Sequence, residues 1–237
     1  MKALAVPPRG ELAEAMAHWS PGEREKFDAQ LRQAFDDQTE RLRELGVWYE
    51  MSDSERKFMR AAPLEIELQT VIDTMWLSES AVCLLWSLGY VDRLPPYDQQ
   101  SDPSLTNQLP RESMKDLESK VALRAVSEIQ RQRDIAELWH WRSRTRSLRE
   151  DGTLAARLPE GERIGDILRL TAEKAAADGF FLAPVNGDFP AFGKPYREIS
   201  EQEYFLATSI AIERHRAFNW LCGYAPGNVW AQTPTDT

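Results

Sequence analysis

The sequence predicts an all-α protein: a multi-helix globular bundle with long inner helices and an irregular, aromatic-rich loop before the last helix. Three observations predict it. Long runs without Gly or Pro carry apolar residues at helical spacing. Several of these runs open on Ser followed three positions later by Glu, the reciprocal capping box. Several close on Gly, at Gly46, Gly89 and Gly223, where a left-handed cap belongs.

A chain of 237 residues is long enough to bury a full core. With 42% hydrophobic and 28% charged residues, its composition is that of an ordinary soluble globular protein. A formal charge of −9 argues against a nucleic-acid binder, which would show a basic stripe, and suits a basic partner instead. The N-terminal MKALAVPPRG has too short an apolar run for a signal peptide, and the most apolar stretch, Ser80–Val91, is too short to span a bilayer. Cys83 and Cys222 read as free thiols in a reducing, cytoplasmic setting.

In chain order, residues 10–18 are expected to be a short helix. Ser20-Pro21-Gly22-Glu23 starts a second helix that runs to Leu45, with densely mixed charge on a solvated face. Residues 1–46 form a helical extension packed on a core of 47–237. Ser52–Glu55 opens a segment through Arg60, ended by Pro63. Leu64–Tyr90 is a buried helix with Leu68, Val71, Ile72, Met75, Trp76, Val82, Cys83 and Trp86 on its inner stripe, and Leu94–Gln108 is an ordered loop. Glu112–Leu148 reads as one long helix, with Arg124 and Glu128 as an i,i+4 pair and the basic end Arg142, Arg144, Arg146 and Arg149 favouring the helix dipole. Glu160–Asp178 is amphipathic, with Ile164, Ile167, Leu168 and Leu170 inward. Gly179–Ile199 is irregular, with a hairpin turn at Asn186-Gly187. Trp230 is expected to dock the tail.

Glu203–Cys222, EYFLATSIAIERHRAFNWLC, is apolar nearly all round, which marks a helix enclosed by protein. Buried charge does not persist unpaired, so Glu213 and Arg214 require partners from other helices. Glu79 lies inside an apolar stripe and is either paired or raised in pKa. Structural ion-pair lattices gather charge as active sites do, and here the structural reading carries more weight. Glu137-x-x-His140 is one copy of a motif that a di-metal bundle needs twice, so no metal and no cofactor are expected.

WLSESAVCLLWSLG (Trp76–Gly89), LRAVSEIQRQRDIAELWHW (Leu123–Trp141), ERHRAFNWL (Glu213–Leu221) and the closing TDT (Thr235–Thr237) resemble the bacterial domain-of-unknown-function family 4272, over roughly Leu45 to the C-terminus. The residues that match are Trp76, Glu79, Trp86, Gly89, Arg124, Glu128, Asp134, His140, Trp141, Glu213, Arg214, His215, Asn219, Trp220, Asp236 and Thr237. Leu77 and Leu138 stand where the family pattern has arginines, so one shared pairing is absent here. The resemblance implies an all-helical bacterial cytoplasmic protein and supplies no reaction.

The combined expectation is an inner layer of three helices. In it Glu79, Glu128, Asp134, Glu213 and Asp236 converge with Arg124, Arg214, His140 and His215, flanked by Trp76 and Trp220. Two functions follow. One is a binding or interaction protein with a largely architectural network and a small ligand, a peptide or a basic protein as partner; an immunity-type inhibitor of a basic toxin belongs to this class. The other is a hydrolase with His215 or Glu79 as base and Arg214 and Asn219 stabilising negative charge, which requires an open cleft lined by these groups.

Overall fold

The computed structural model describes residues 18–62, 66–102, 104–105, 122–158 and 163–236. The expected helix at 10–18 falls almost wholly outside them, as do Pro63, the start of the expected Glu112 helix, Glu160 and Thr237. Seven α-helices and one two-stranded ribbon make up the regular structure of the described residues: α1 Pro21–Glu44, α2 Val47–Glu50, α3 Asp53–Arg60, α4 Leu68–Ser87, α5 Val126–Glu150, α6 Ile164–Ala177, β1 Pro190–Ala191, β2 Lys194–Pro195 and α7 Glu201–Leu221. Contacts divide the chain into two compact units, Met1–Met75 with Leu109–Val121, and Trp76–Gln108 with Ala122–Thr237.

In the first unit, α1 and α3 start on the expected capping boxes. Ser20 and Ser52 each accept from the backbone of the third helical residue, Glu23 and Glu55, whose carboxylates reach back. Gly46 stands at φ 80°, so the chain turns directly from α1 into α2. Trp48 is buried there beneath the guanidinium groups of Arg43 and Arg60, at 5.1 and 5.2 Å from its ring.

In the second unit, α5 and α7 form the dominant helix pairing, and α4 from Trp76 onward packs its Val82, Cys83, Leu85 and Trp86 into the same core. α7 is capped by Ser200 and Glu203 and ends before Gly223 at φ 80°, as its sequence dictates. Trp139 of α5 is the aromatic hub. Tyr97 stacks on it at 5.2 Å with a 6° interplanar angle, and Phe189 meets it edge-on at 5.3 Å. These rings hold the 94–101 loop and the segment before α7 against the helices. Cys83 lies fully inside this core, and burial pushes its thiol up to about 12.

Three expectations are corrected. The helix anticipated from Glu112 starts at Val126, and residues 122–125 are not helical. The Arg124 backbone N–H donates to the Ser87 carbonyl at the end of α4, at 2.9 Å, and Ala125 at ψ 139° serves as N-cap. A tertiary hydrogen bond thus overrides a continuous helical pattern, and the Arg124–Glu128 pair does not form. On α6, Leu170 faces solvent at 55% exposure, and the buried stripe is Leu168, Ala172 and Ala175, which share one face at i, i+4 and i+7. On α4, Leu68 and Met75, expected inward, are exposed.

The Asn186-Gly187 turn forms as expected. Val185 and Asp188 bridge across it, with φ of 48° and 73° at the two central residues, the signs a type I′ turn requires. The sequence reading missed a second such turn, Phe192-Gly193, which joins β1 to β2 with φ of 52° and 70°. Left-handed backbone is costly at Phe, and the Phe192 N–H is held there by Asp98 Oδ2 at 2.7 Å.

Candidate functional site

Four polar residues of α7 are enclosed, and they are answered by two other helices. Glu213, Arg214, His215 and Asn219 are all buried. Glu79 and Arg214, both with 0% side-chain exposure, form a salt bridge at 2.9 Å. Arg214 also donates to the carbonyls of Pro95 at 2.6 Å and Gln99 at 3.4 Å, and lies over the Tyr97 ring at 4.8 Å. Glu79 accepts from the Ser101 N–H and, at 2.8 Å, from its hydroxyl. The pair therefore staples the 94–101 loop to α4 and α7, with both charges met by geometry that a buried pair requires.

Glu213 forms its own small cluster, accepting from the Ser80 hydroxyl at 2.8 Å and from Arg216 at 2.6 Å.

A third group lies along the α5–α7 seam. His140 and His215 face one another with Nδ1 atoms 3.1 Å apart. Arg133 Nε lies 3.0 Å from Asn219 Oδ1, and Asn219 Nδ2 lies 2.8 Å from the Pro234 carbonyl and 2.9 Å from His215 Nε2. A guanidinium only donates and a carbonyl only accepts, so the Asn219 amide has one possible orientation. His215 Nε2 is then the acceptor, its proton sits on Nδ1, and Nδ1–H donates to His140 Nδ1. Both rings are neutral. Burial lowers each to about 4, reinforced for His140 by Arg144 and Arg216 and opposed by Asp236, and reinforced for His215 by competition with the adjoining His140 ring for a proton and by Arg133.

Arg133 carries this seam to the surface. It pairs with Glu137 at 2.7 Å and lies over the Tyr224 ring at 4.8 Å. There it borders a cleft of about 300 Å³ lined by Gln130, Arg133, Asp134, Cys222, Gly223 and Tyr224.

The remaining expected site residues are dispersed. Arg124 sits over Trp86 at 4.7 Å and donates to the Trp86 and Val91 carbonyls, tying down the end of α4. Glu128 caps its own helix through the Ala125 N–H. Asp134 is exposed and meets Arg133 at 3.3 Å. Trp76 is half-buried against Phe205 at 5.9 Å. Trp220 packs on Trp230 at 5.8 Å and donates to the Asn228 carbonyl, so Trp230 does dock the tail. Asp236 is exposed and acts on His140 through its charge. A single polar centre is thus replaced by separate clusters.

The sequence reading missed Arg142 and Asp188, a buried bidentate pair at 2.7 and 2.8 Å, with 2% and 1% side-chain exposure. Burial alone would raise the Asp188 carboxyl, but Arg142 and the N–H groups of Phe189 and Arg197 hold it below the usual range. Arg142, expected only to favour the helix dipole, also covers the Tyr196 ring with its guanidinium at 4.5 Å. Arg146 likewise turns inward, donating to the Ile199 carbonyl and lying over Tyr204. Asp188 beside a tight turn, aromatics all around it, was the available signal.

Among the described residues no group of three His, Cys, Asp or Glu side chains is placed to hold a metal ion, and no helix is long and apolar enough to cross a membrane. The fold and its clusters define a mostly helical globular protein organised by buried ion pairs. The family model described as domain of unknown function DUF4272 matches residues 14–156, and the chain belongs to that family. The match begins earlier than the resemblance in the sequence placed it and ends before α7. No curated protein and no solved structure matches the chain.

Proposed function

We propose that this chain is a binding protein. Its ionic interior is architectural, and its recognition site is the cleft at Arg133, Asp134, Cys222 and Tyr224. The observation that carries this reading is the contrast between Arg214 and Arg133. Arg214, with Glu79, is sealed from solvent between α7 and α4, whereas Arg133, on α5 beside the same α7, borders an open cleft. A volume of about 300 Å³ lies at the small end of ligand sites. Arg133 already meets both oxygens of Glu137, so a small polar ligand carrying a carboxylate or phosphate would take the place of the exposed Asp134, held at 3.3 Å, on this guanidinium. A basic protein as partner, including the toxin of an immunity pair, rests on the net charge of −9 alone.

The hydrolase alternative requires Glu79, His215, Arg214 and Asn219 to reach a substrate. Glu79, Arg214 and His215 are 0% exposed and Asn219 is 3% exposed, each with its hydrogen bonds already made. That burial counts against them as a catalytic set.

The test is an NMR titration of the full chain with inorganic phosphate and with succinate. Shifts confined to Gln130, Arg133, Cys222 and Tyr224 that vanish in Arg133→Ala are the expected result. Shifts elsewhere, or binding unchanged in Arg133→Ala, overturn the reading.

A further inference from the structure

The described chain ends in a short non-helical segment, residues 233–236, held against the α5–α7 seam. Thr233 is 9% exposed, the Pro234 carbonyl takes its hydrogen bond from Asn219 at 2.8 Å, and the charge of Asp236 acts on His140. The amide that grips the segment is the one that reads the state of His215. We propose that residues 233–236 are a strap latched by Asn219, released when the His140–His215 pair takes up a proton, which uncovers the seam between α5 and α7.

The geometry couples the strap to the protonation of the pair through Asn219. A proton on His215 puts N–H on Nε2, facing the Asn219 Nδ2 that now donates to it. A proton on His140 requires His215 to accept at Nδ1, which moves the His215 proton to Nε2 and produces the same opposition. Asn219 can relieve it by turning its oxygen toward His215. That turn aims Nδ2 at Arg133 Nε, another donor, and withdraws it from the Pro234 carbonyl. The strap then loses its hydrogen bond to α7 and is held only at its base, where Thr233 donates to the Trp230 carbonyl at 2.8 Å.

The charged groups around the pair bias it toward the latched state. Arg133 and Arg144 on α5 and Arg216 on α7 disfavour the proton, although Glu137 and Glu213 partly neutralise Arg133 and Arg216. Asp236 belongs to the strap itself and favours the proton, so its charge pulls against release and the loss of the Pro234 hydrogen bond has to outweigh it. With burial added, both rings stay neutral until about pH 4, so the strap is latched at neutral pH. This inference does not depend on what the neighbouring cleft binds.

The test is heteronuclear relaxation of the uniformly labelled full chain from pH 7 to pH 3, read at the Thr235 and Asp236 amides beside the ring resonances of His140 and His215. At pH 7 the two amides are as rigid as those of α7. Their rigidity is lost with the midpoint of the ring titration, while the Val82 and Trp139 amides stay ordered. Asn219→Ala frees both amides already at pH 7. The double variant His140→Gln/His215→Gln, which leaves no ring at the seam to titrate, abolishes the transition. Loss of rigidity only together with Val82 and Trp139 means global unfolding and overturns the proposal. So do tail amides that ignore the ring titration, or a tail that stays rigid in Asn219→Ala. The native chain decides the question alone if the double variant does not fold.

Discussion

Arg214 shows at the scale of one residue what the interior charges do. Its guanidinium meets one carboxylate, two loop carbonyls and one aromatic face without touching solvent. Removing the counter-charge strands the other charge in the core, which costs about 3–5 kcal/mol. Glu79→Gln and Arg214→Leu are therefore each expected to lower stability by that amount in urea denaturation. The double variant is expected to lose less than the sum, because neither leaves an unmet charge. Loss of ligand binding at the cleft without loss of stability would place Glu79 in recognition instead. The need for partners was legible in the sequence, since charge on a helix apolar all round has to be met. Which partner was met was not. Arg142 and Asp188, and His140 and His215, lie far apart in sequence, and periodicity places residues only within one helix.

At the scale of elements, what was legible is what is decided locally. The capping boxes at Ser20, Ser52 and Ser200 need only four consecutive positions, and each starts a helix where its side chains predict. The Asn186-Gly187 turn is local in the same way. The start of α5 is not, because the hydrogen bond from Arg124 to Ser87 belongs to the packed state. Gly187 stands at φ 73°, and a Cβ there would touch the Arg169 side chain at 3.4 Å. Gly187→Ala is expected to cost about 1–2 kcal/mol, mostly from the left-handed backbone. A thermal melt with an unchanged far-UV spectrum checks it. Because Asp188 follows directly, the loss grows if the turn shifts the Arg142 pair.

At the scale of the whole molecule, the titrating groups set an acid profile. His140 and His215 are held near 4, below the ordinary value of about 6.5, so the unfolded chain binds more protons than the folded one between these limits. Stability is fully retained above about pH 6.5, falls as pH drops toward 4, and receives no further loss from this pair below that. Asp188 is depressed by Arg142, so its contribution is present above the ordinary carboxylate range and is lost as pH falls through its lowered value. Urea midpoints measured from pH 8 to 3 are expected to show a first decline below 6.5 and a second, steeper one below 4. A flat profile between 6.5 and 4 excludes a neutral buried histidine pair.

Cys83 gives the molecule its own clock. Nothing from outside reaches that sulfur in the native state, and a thiol held near pKa 12 is a poor nucleophile even when approached. Cys222 lies nearer the surface and is expected to react with iodoacetamide first. The alkylation of Cys83 then counts how often the interior breathes open far enough to admit a small reagent, and its rate across temperature and denaturant yields the free energy of that opening.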